Sequence, residues 1–202
     1  MSILLSSEND KIISEKNLFS GLQIQTMKRK KIFAISGSTR SQSSNESILK
    51  TISKIHSDRL EIEIFKQLTE LPHFNPDSDK DNPPEIIQNF RNSIRESDGV
   101  IICTPEYIFS LPAALKNAIE WMVSTTIFTD KPTAFIIASG LGERSFESLT
   151  VIMDTLQAKT NDRTRLLLKG SRSSIDENGY LSDPSSIGEI EKLVHSLERM
   201  ME

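Results

Sequence analysis

The stretch Ile32-Phe33-Ala34-Ile35-Ser36-Gly37-Ser38-Thr39-Arg40-Ser41-Gln42-Ser43-Ser44-Asn45 holds one strand, one turn and the start of one helix. Consecutive apolar residues read as a strand covered on both faces, and the segment Asn45 to His56 brings Ile48, Ile52 and Ile55 into helical register. The same alternation repeats outward from it. Further strands are predicted over Leu60 to Phe65, Val100 to Cys103, Ala134 to Ala138 and Arg165 to Leu168. Helices are predicted over Glu85 to Ile94 after Pro83-Pro84, Pro112 to Ser124, Phe146 to Leu156, and a last segment carrying Ile187, Ile190, Val194, Leu197 and Met201. Ser185-Ser186 is the expected cap of that last helix. Strands alternating with helices predict an α/β fold around a five-stranded, mostly parallel sheet.

Strand texture predicts the order. Val100-Ile101-Ile102-Cys103 and Phe135-Ile136-Ile137 are unbroken apolar runs, as central strands are. In the second strand Leu60, Ile62 and Ile64 alternate with Glu61 and Glu63, the charge pattern that keeps an exposed edge from pairing. An edge position for strand 2 gives the order 2-1-3-4-5, a flavodoxin-like three-layer αβα sandwich.

Composition narrows the function classes. Among 202 residues, 24 Lys and Arg against 28 Asp and Glu leave a net charge of −4, so no basic groove for nucleic acid is expected. No apolar run approaches the ~20 residues of a membrane helix. The single cysteine, Cys103, excludes an internal disulfide, and three scattered histidines disfavour a zinc site; this usage suits the cytoplasm. Residues 1–27 are expected to be a poorly ordered arm, without the basic start and apolar core of a secretory signal, and residues 28–202 to be the domain. Met27, directly before Lys28-Arg29-Lys30-Lys31, is a candidate start of that domain.

In a sheet of this order ligands bind beyond the carboxyl ends of the strands, where strands 1 and 3 diverge. The turn after strand 1 is crowded with hydroxyls, carries Arg40 and Asn45, and opens a helix, which suits a phosphate group; a plain capped helix accounts for one or two of these residues. Neither a dinucleotide GxGxxG nor a GxxxxGK[ST] loop is present. After strand 3, Thr104-Pro105-Glu106-Tyr107-Ile108-Phe109-Ser110-Leu111-Pro112 is stiffened by two prolines and offers flat apolar faces. After strand 4, Ser139-Gly140-Leu141-Gly142-Glu143-Arg144 is a short glycine loop before another helix.

Together these segments resemble the NADPH-dependent FMN reductase family of flavodoxin-like proteins, which includes quinone, azo and chromate reductases, over roughly residues 31 to 183. Gly37 to Asn45 is similar to the family's GSxRxxSxN phosphate loop, and Thr104 to Asn117 to its TPEYNxSxPxxLKN signature. Ile108 stands where the family usually has Asn, and Ala113 where Gly is frequent. The third loop lacks the family's paired glycines, although Gly142-Glu143-Arg144 with Glu147-Ser148-Leu149 resembles a variant of it.

The resemblance implies an FMN-binding domain and an oxidoreductase passing electrons from NADPH or NADH to a small acceptor in a ping-pong cycle. It implies cofactor contacts by Ser38, Arg40, Ser43, Ser44 and Asn45, by Pro105, Glu106, Tyr107, Ile108 and Ser110, and by Ser139 and Gly140. Arg144 is a candidate nucleotide contact. No catalytic side chain and no metal are expected, since the flavin carries the chemistry. The resemblance also implies a homodimer or homotetramer. The competing reading is a flavin-binding electron carrier without its own nucleotide turnover; a family member that binds no flavin is a third.

Remaining residues have plainer readings. Cys103, at the end of an apolar strand, reads as core. His56 and His195 fall near helix ends and read as surface, His73 as packing or interface, and Trp121 as core or subunit contact.

Overall fold

A computed structural model describes residues 28–80, 82–170 and 174–202; the arm expected over residues 1–27 lies outside them. The chain runs β1 (Lys30–Ser36), α1 (Ser44–Ile55), β2 (Leu60–Phe65), α2 (Glu85–Glu96), β3 (Gly99–Thr104), α3 (Ala113–Glu120), β4 (Thr133–Ser139), α4 (Glu143–Thr155), β5 (Arg165–Lys169) and α5 (Pro184–Met200). All four strand pairings are parallel, in the order β2-β1-β3-β4-β5. This is the order predicted from strand texture, with the Glu61/Glu63 strand at an edge.

Because successive side chains of a strand point to opposite faces, each inner strand feeds two cores. Phe33, Ile35, Val100, Ile102, Phe135 and Ile137 pack with α2, α3 and α4 on one face. Ile32, Ala34, Ile101, Cys103, Ala134 and Ile136 pack with α1 and α5 on the other. Every residue of β3 is buried, which is why Val100 to Cys103 form an unbroken apolar run. No helix among the described residues is long and apolar enough to cross a membrane.

Three expectations shift. The cap of α5 is Asp183, not Ser185-Ser186: its carboxylate accepts from the Ser186 amide at 2.8 Å and from Ser186 Oγ at 2.7 Å, so the helix begins earlier, at Pro184. The α3 helix stops at Glu120, before turns over 121–124. There the Trp121 indole is buried and donates to Pro72 O at 2.8 Å, while the Trp121 carbonyl accepts from Arg91 Nε at 3.1 Å. Arg91 itself is buried against Asp79, 2.6 Å away. Third, His56 is not a surface residue: it is 2% exposed at the end of α1, with Nδ1 2.6 Å from Arg59 Nη2, and Arg59 in turn pairs with Glu198 of α5 at 2.8 Å.

Candidate active site

The loops after β1, β3 and β4 and the residue following β5 meet in one cleft of about 310 Å³ at the carboxyl ends of the strands. Its lining brings together Ser38, Arg40, Ser43, Ser44, Asn45, Pro105, Glu106, Tyr107, Ser139 and Gly140, all singled out in the sequence, with Ala138 and Gly170. The volume falls at the lower end of the range for small-molecule sites, ~300–1,000 Å³. A cleft here follows from topology, since β1 and β3 are neighbours whose chains leave in opposite directions, to β2 and to β4.

The first loop is held open by a close approach. The Gly37 amide donates to Cys103 O at 2.8 Å, bringing β1's end against β3. A Cβ at position 37 would lie 2.2 Å from Thr104 Oγ1 and 2.9 Å from a Leu115 methyl, so nothing larger than glycine fits. The chain then turns through Gln42 in the left-handed region and enters α1 at Ser43, whose hydroxyl accepts from the Asn45 amide at 3.2 Å. The helix's outward N–H groups and partial positive charge face the cleft end. Arg40 is exposed and has no ion-pair partner among the described residues.

Asn45 serves two surfaces. It lines the cleft yet is 2% exposed, and its Oδ1 accepts from Cys103 Sγ at 3.4 Å, which pins α1 to β3. Burial pushes the Cys103 thiol far above its ordinary range, so it stays protonated as the core residue it was read to be.

Glu106 has a role the sequence did not disclose. Its carboxylate accepts from the Ser145 amide at 2.8 Å and so caps α4 from another loop. The α4 N-cap is Gly142, in the left-handed region and with no side chain to offer, so an acid from outside supplies the acceptor. This fastens the β3 loop to the β4–α4 corner. Gly140 opens on empty space: a Cβ there would meet no protein atom within 4 Å, leaving room for a ligand beside the backbone. Gly170 follows β5, and its place at a strand's carboxyl end was the signal that could have found it.

Three expected residues stand outside the lining. Ile108 is 96% exposed. Ser110 is engaged through its backbone, exchanging hydrogen bonds with Tyr107 at 2.9 and 3.0 Å. Arg144 is exposed on α4's first turn and pairs with Glu147 at 3.0 Å. No group of three or more potential metal-ligating side chains occurs among the described residues.

The family model described as NADPH-dependent FMN reductase matches residues 30–168, the span that builds this sheet and cleft. The chain belongs to that family. It is therefore an oxidoreductase that works with FMN and a reduced pyridine nucleotide. Among its family relatives, the NADH:(hydroxy)cinnamate reductase subunit CrdA of Vibrio ruber is 32% identical over 166 residues, covering 79% of this chain and 81% of that protein. A quinone reductase of Pseudomonas putida is 29% identical over 160 residues, covering 75% and 84%. The solved flavoenzyme FerB of Paracoccus denitrificans, an NAD(P)H:(acceptor) oxidoreductase, superposes with a TM-score of 0.73 at 24% identity, covering 85% of this chain and 97% of that one, and so shares the fold.

Proposed function

We propose that this chain is an NAD(P)H-dependent, FMN-containing reductase that passes electrons to a small acceptor such as a quinone, azo compound, chromate, ferric chelate or free flavin. The observation that carries the reading is the convergence of Arg40, with no ion-pair partner among the described residues, a hydroxyl-rich helix N-terminus and a proline-stiffened loop on one cleft. Ser38, Arg40, Ser43 and Ser44 would hold the cofactor's phosphate, whose dianion matches donors and positive charge. Pro105, Tyr107, Ser139 and Gly140 would flank its ring. FMN held there would supply two-electron chemistry, linking hydride donation by the nucleotide to reduction of the acceptor. Nucleotide and acceptor would occupy the same mouth in turn, which makes the cycle ping-pong.

Other residues act by positioning. Asn45 holds the phosphate loop against β3, and Glu106 keeps the two ring-flanking loops at a fixed separation. We place the protein in the cytoplasm, which its cysteine usage suits, and as a homodimer or homotetramer, as the family resemblance implies. A second reading, an electron carrier serving a protein partner, draws on the Vibrio ruber relative being a subunit.

Purified protein decides between them. FMN is expected to be released on denaturation, and NADPH or NADH is expected to bleach the flavin absorbance within seconds under anaerobic conditions. Flavin that no nucleotide bleaches identifies the carrier instead. Replacing Arg40 by Ala should weaken FMN binding ~10–100-fold, the worth of one charge-assisted contact; unchanged affinity in an Arg40→Ala, Asn45→Ala double variant overturns the site.

A further inference from the structure

Seven large apolar side chains stay exposed among the described residues: Ile55 at the end of α1, Val123 after α3 and Val151 in α4 are scattered, whereas four sit together on the loops of this cleft. Tyr107 (42% exposed), Ile108 (96%) and Phe109 (69%) follow β3, and Leu141 (57%) follows β4. Tyr107 lines the cleft, and Ile108 and Phe109 continue outward from it; Gly140 lines it, and Leu141 is the next residue. The Glu106–Ser145 hydrogen bond ties the two loops together.

The backbone at Ile108-Phe109 is as unusual as its exposure. Tyr107 and Ser110 exchange both backbone hydrogen bonds, closing a two-residue hairpin in which Ile108 has φ 50° and Phe109 φ 55°. Such turns favour Asn-Gly, because left-handed backbone crowds a Cβ; a β-branched residue there is an outlier. Strained backbone of this kind clusters at ligand clamps and active sites. Among the described residues Ile108 buries almost nothing and Phe109 only about a third of its surface, so most of this apolar surface has no packing role there.

We infer that Ile108, Phe109 and Leu141, with Tyr107, form an apolar collar that selects uncharged planar aromatic or quinonoid acceptors over hydrophilic anions. The inference rests on the reductase reading above and adds the determinant of acceptor choice. A small occupant fits the area: even pooled, four partly exposed side chains offer roughly 400–500 Å², about half of the ~800 Å² one partner gives a standard protein interface. It also fits the position, since the collar continues the wall of the cleft. The overall reaction is NAD(P)H + H⁺ + quinone giving NAD(P)⁺ + hydroquinone, two electrons on each side. The collar makes and breaks no bond; it holds the ring over the mouth.

The test compares menadione, an uncharged bicyclic quinone, with ferricyanide, a hydrophilic anion, per bound FMN. In Ile108→Asn/Phe109→Gly the menadione-to-ferricyanide ratio of kcat/KM should fall at least ~10-fold, chiefly through the KM for menadione, while the urea midpoint rises because Asn-Gly suits the turn. Ile108→Leu/Phe109→Leu, which keeps the apolar surface, should stay within ~3-fold of the parent ratio. An unchanged ratio in the Asn/Gly variant overturns the collar. So does a fall accompanied by a smaller sedimenting mass, which would make a second copy of the chain its occupant. A parent protein that holds flavin but transfers electrons to neither acceptor overturns the reductase reading, and the collar with it.

Discussion

Gly37 shows how one missing methyl decides the geometry of a site. Its hydrogen lets β1 end against Thr104 and Leu115, and the loop proposed to hold the phosphate leaves the sheet from that contact. Gly37→Ala should cost about 1–3 kcal/mol, the usual penalty for overpacking, measured as a lower urea midpoint, and should weaken FMN binding as the loop shifts. A glycine after an apolar run was legible in the sequence as a turn; its reason was not, because the crowding atoms come from residues almost seventy and eighty positions later. Ile108-Phe109 is the opposite case. Neither residue carries turn chemistry, so a hairpin with two left-handed residues could not be read from them. The loop after β1, with its serines, Arg40 and Asn45, carried the composition from which the proposed phosphate site was read.

At the scale of elements, the alternation of Leu60, Ile62 and Ile64 with Glu61 and Glu63 placed β2 at the sheet's edge, and unbroken apolar runs placed β3 and β4 inside. Those signals are local and periodic, so they survive in the sequence. Helix ends depend on which group supplies the acceptor, and there the reading slipped: Asp183, rather than the serines after it, caps α5. The α4 cap lies further from view, since its acceptor is Glu106, thirty-nine residues from Ser145. Replacing Glu106 by Gln should lower stability by about 1 kcal/mol, the worth of a helix cap, seen in urea melts. Amide exchange at Ser145 and in the α4 first turn should quicken in the same variant while the α2 amides keep their protection.

Across the whole molecule, the ligand end and the acid-sensitive end are separate. The cleft sits at the carboxyl ends of the strands, whereas His56 lies where α1 ends, beside the start of β2. Burial, with the Arg59 guanidinium beside it, holds the His56 imidazole below its ordinary value of 6.5. The unfolded chain therefore binds a proton that the folded chain resists. The stability linked to this group is present above about pH 6.5 and is lost as the pH falls toward the lowered folded value. Urea midpoints should drop between pH 7.5 and 5.5, with a shallower slope in His56→Gln. His56 read as surface because its burial comes from tertiary packing beside the Arg59–Glu198 pair, which no local pattern encodes.

The Cys103–Asn45 contact bears on how such a protein endures its own work. Dioxygen can draw electrons from reduced cofactors, and the peroxide formed attacks thiolates. The chain's one cysteine is enclosed against Asn45 at the start of α1 and kept protonated, so oxidant arising near the mouth meets no nucleophilic sulfhydryl, and the sulfenic-acid route to inactivation has no starting point.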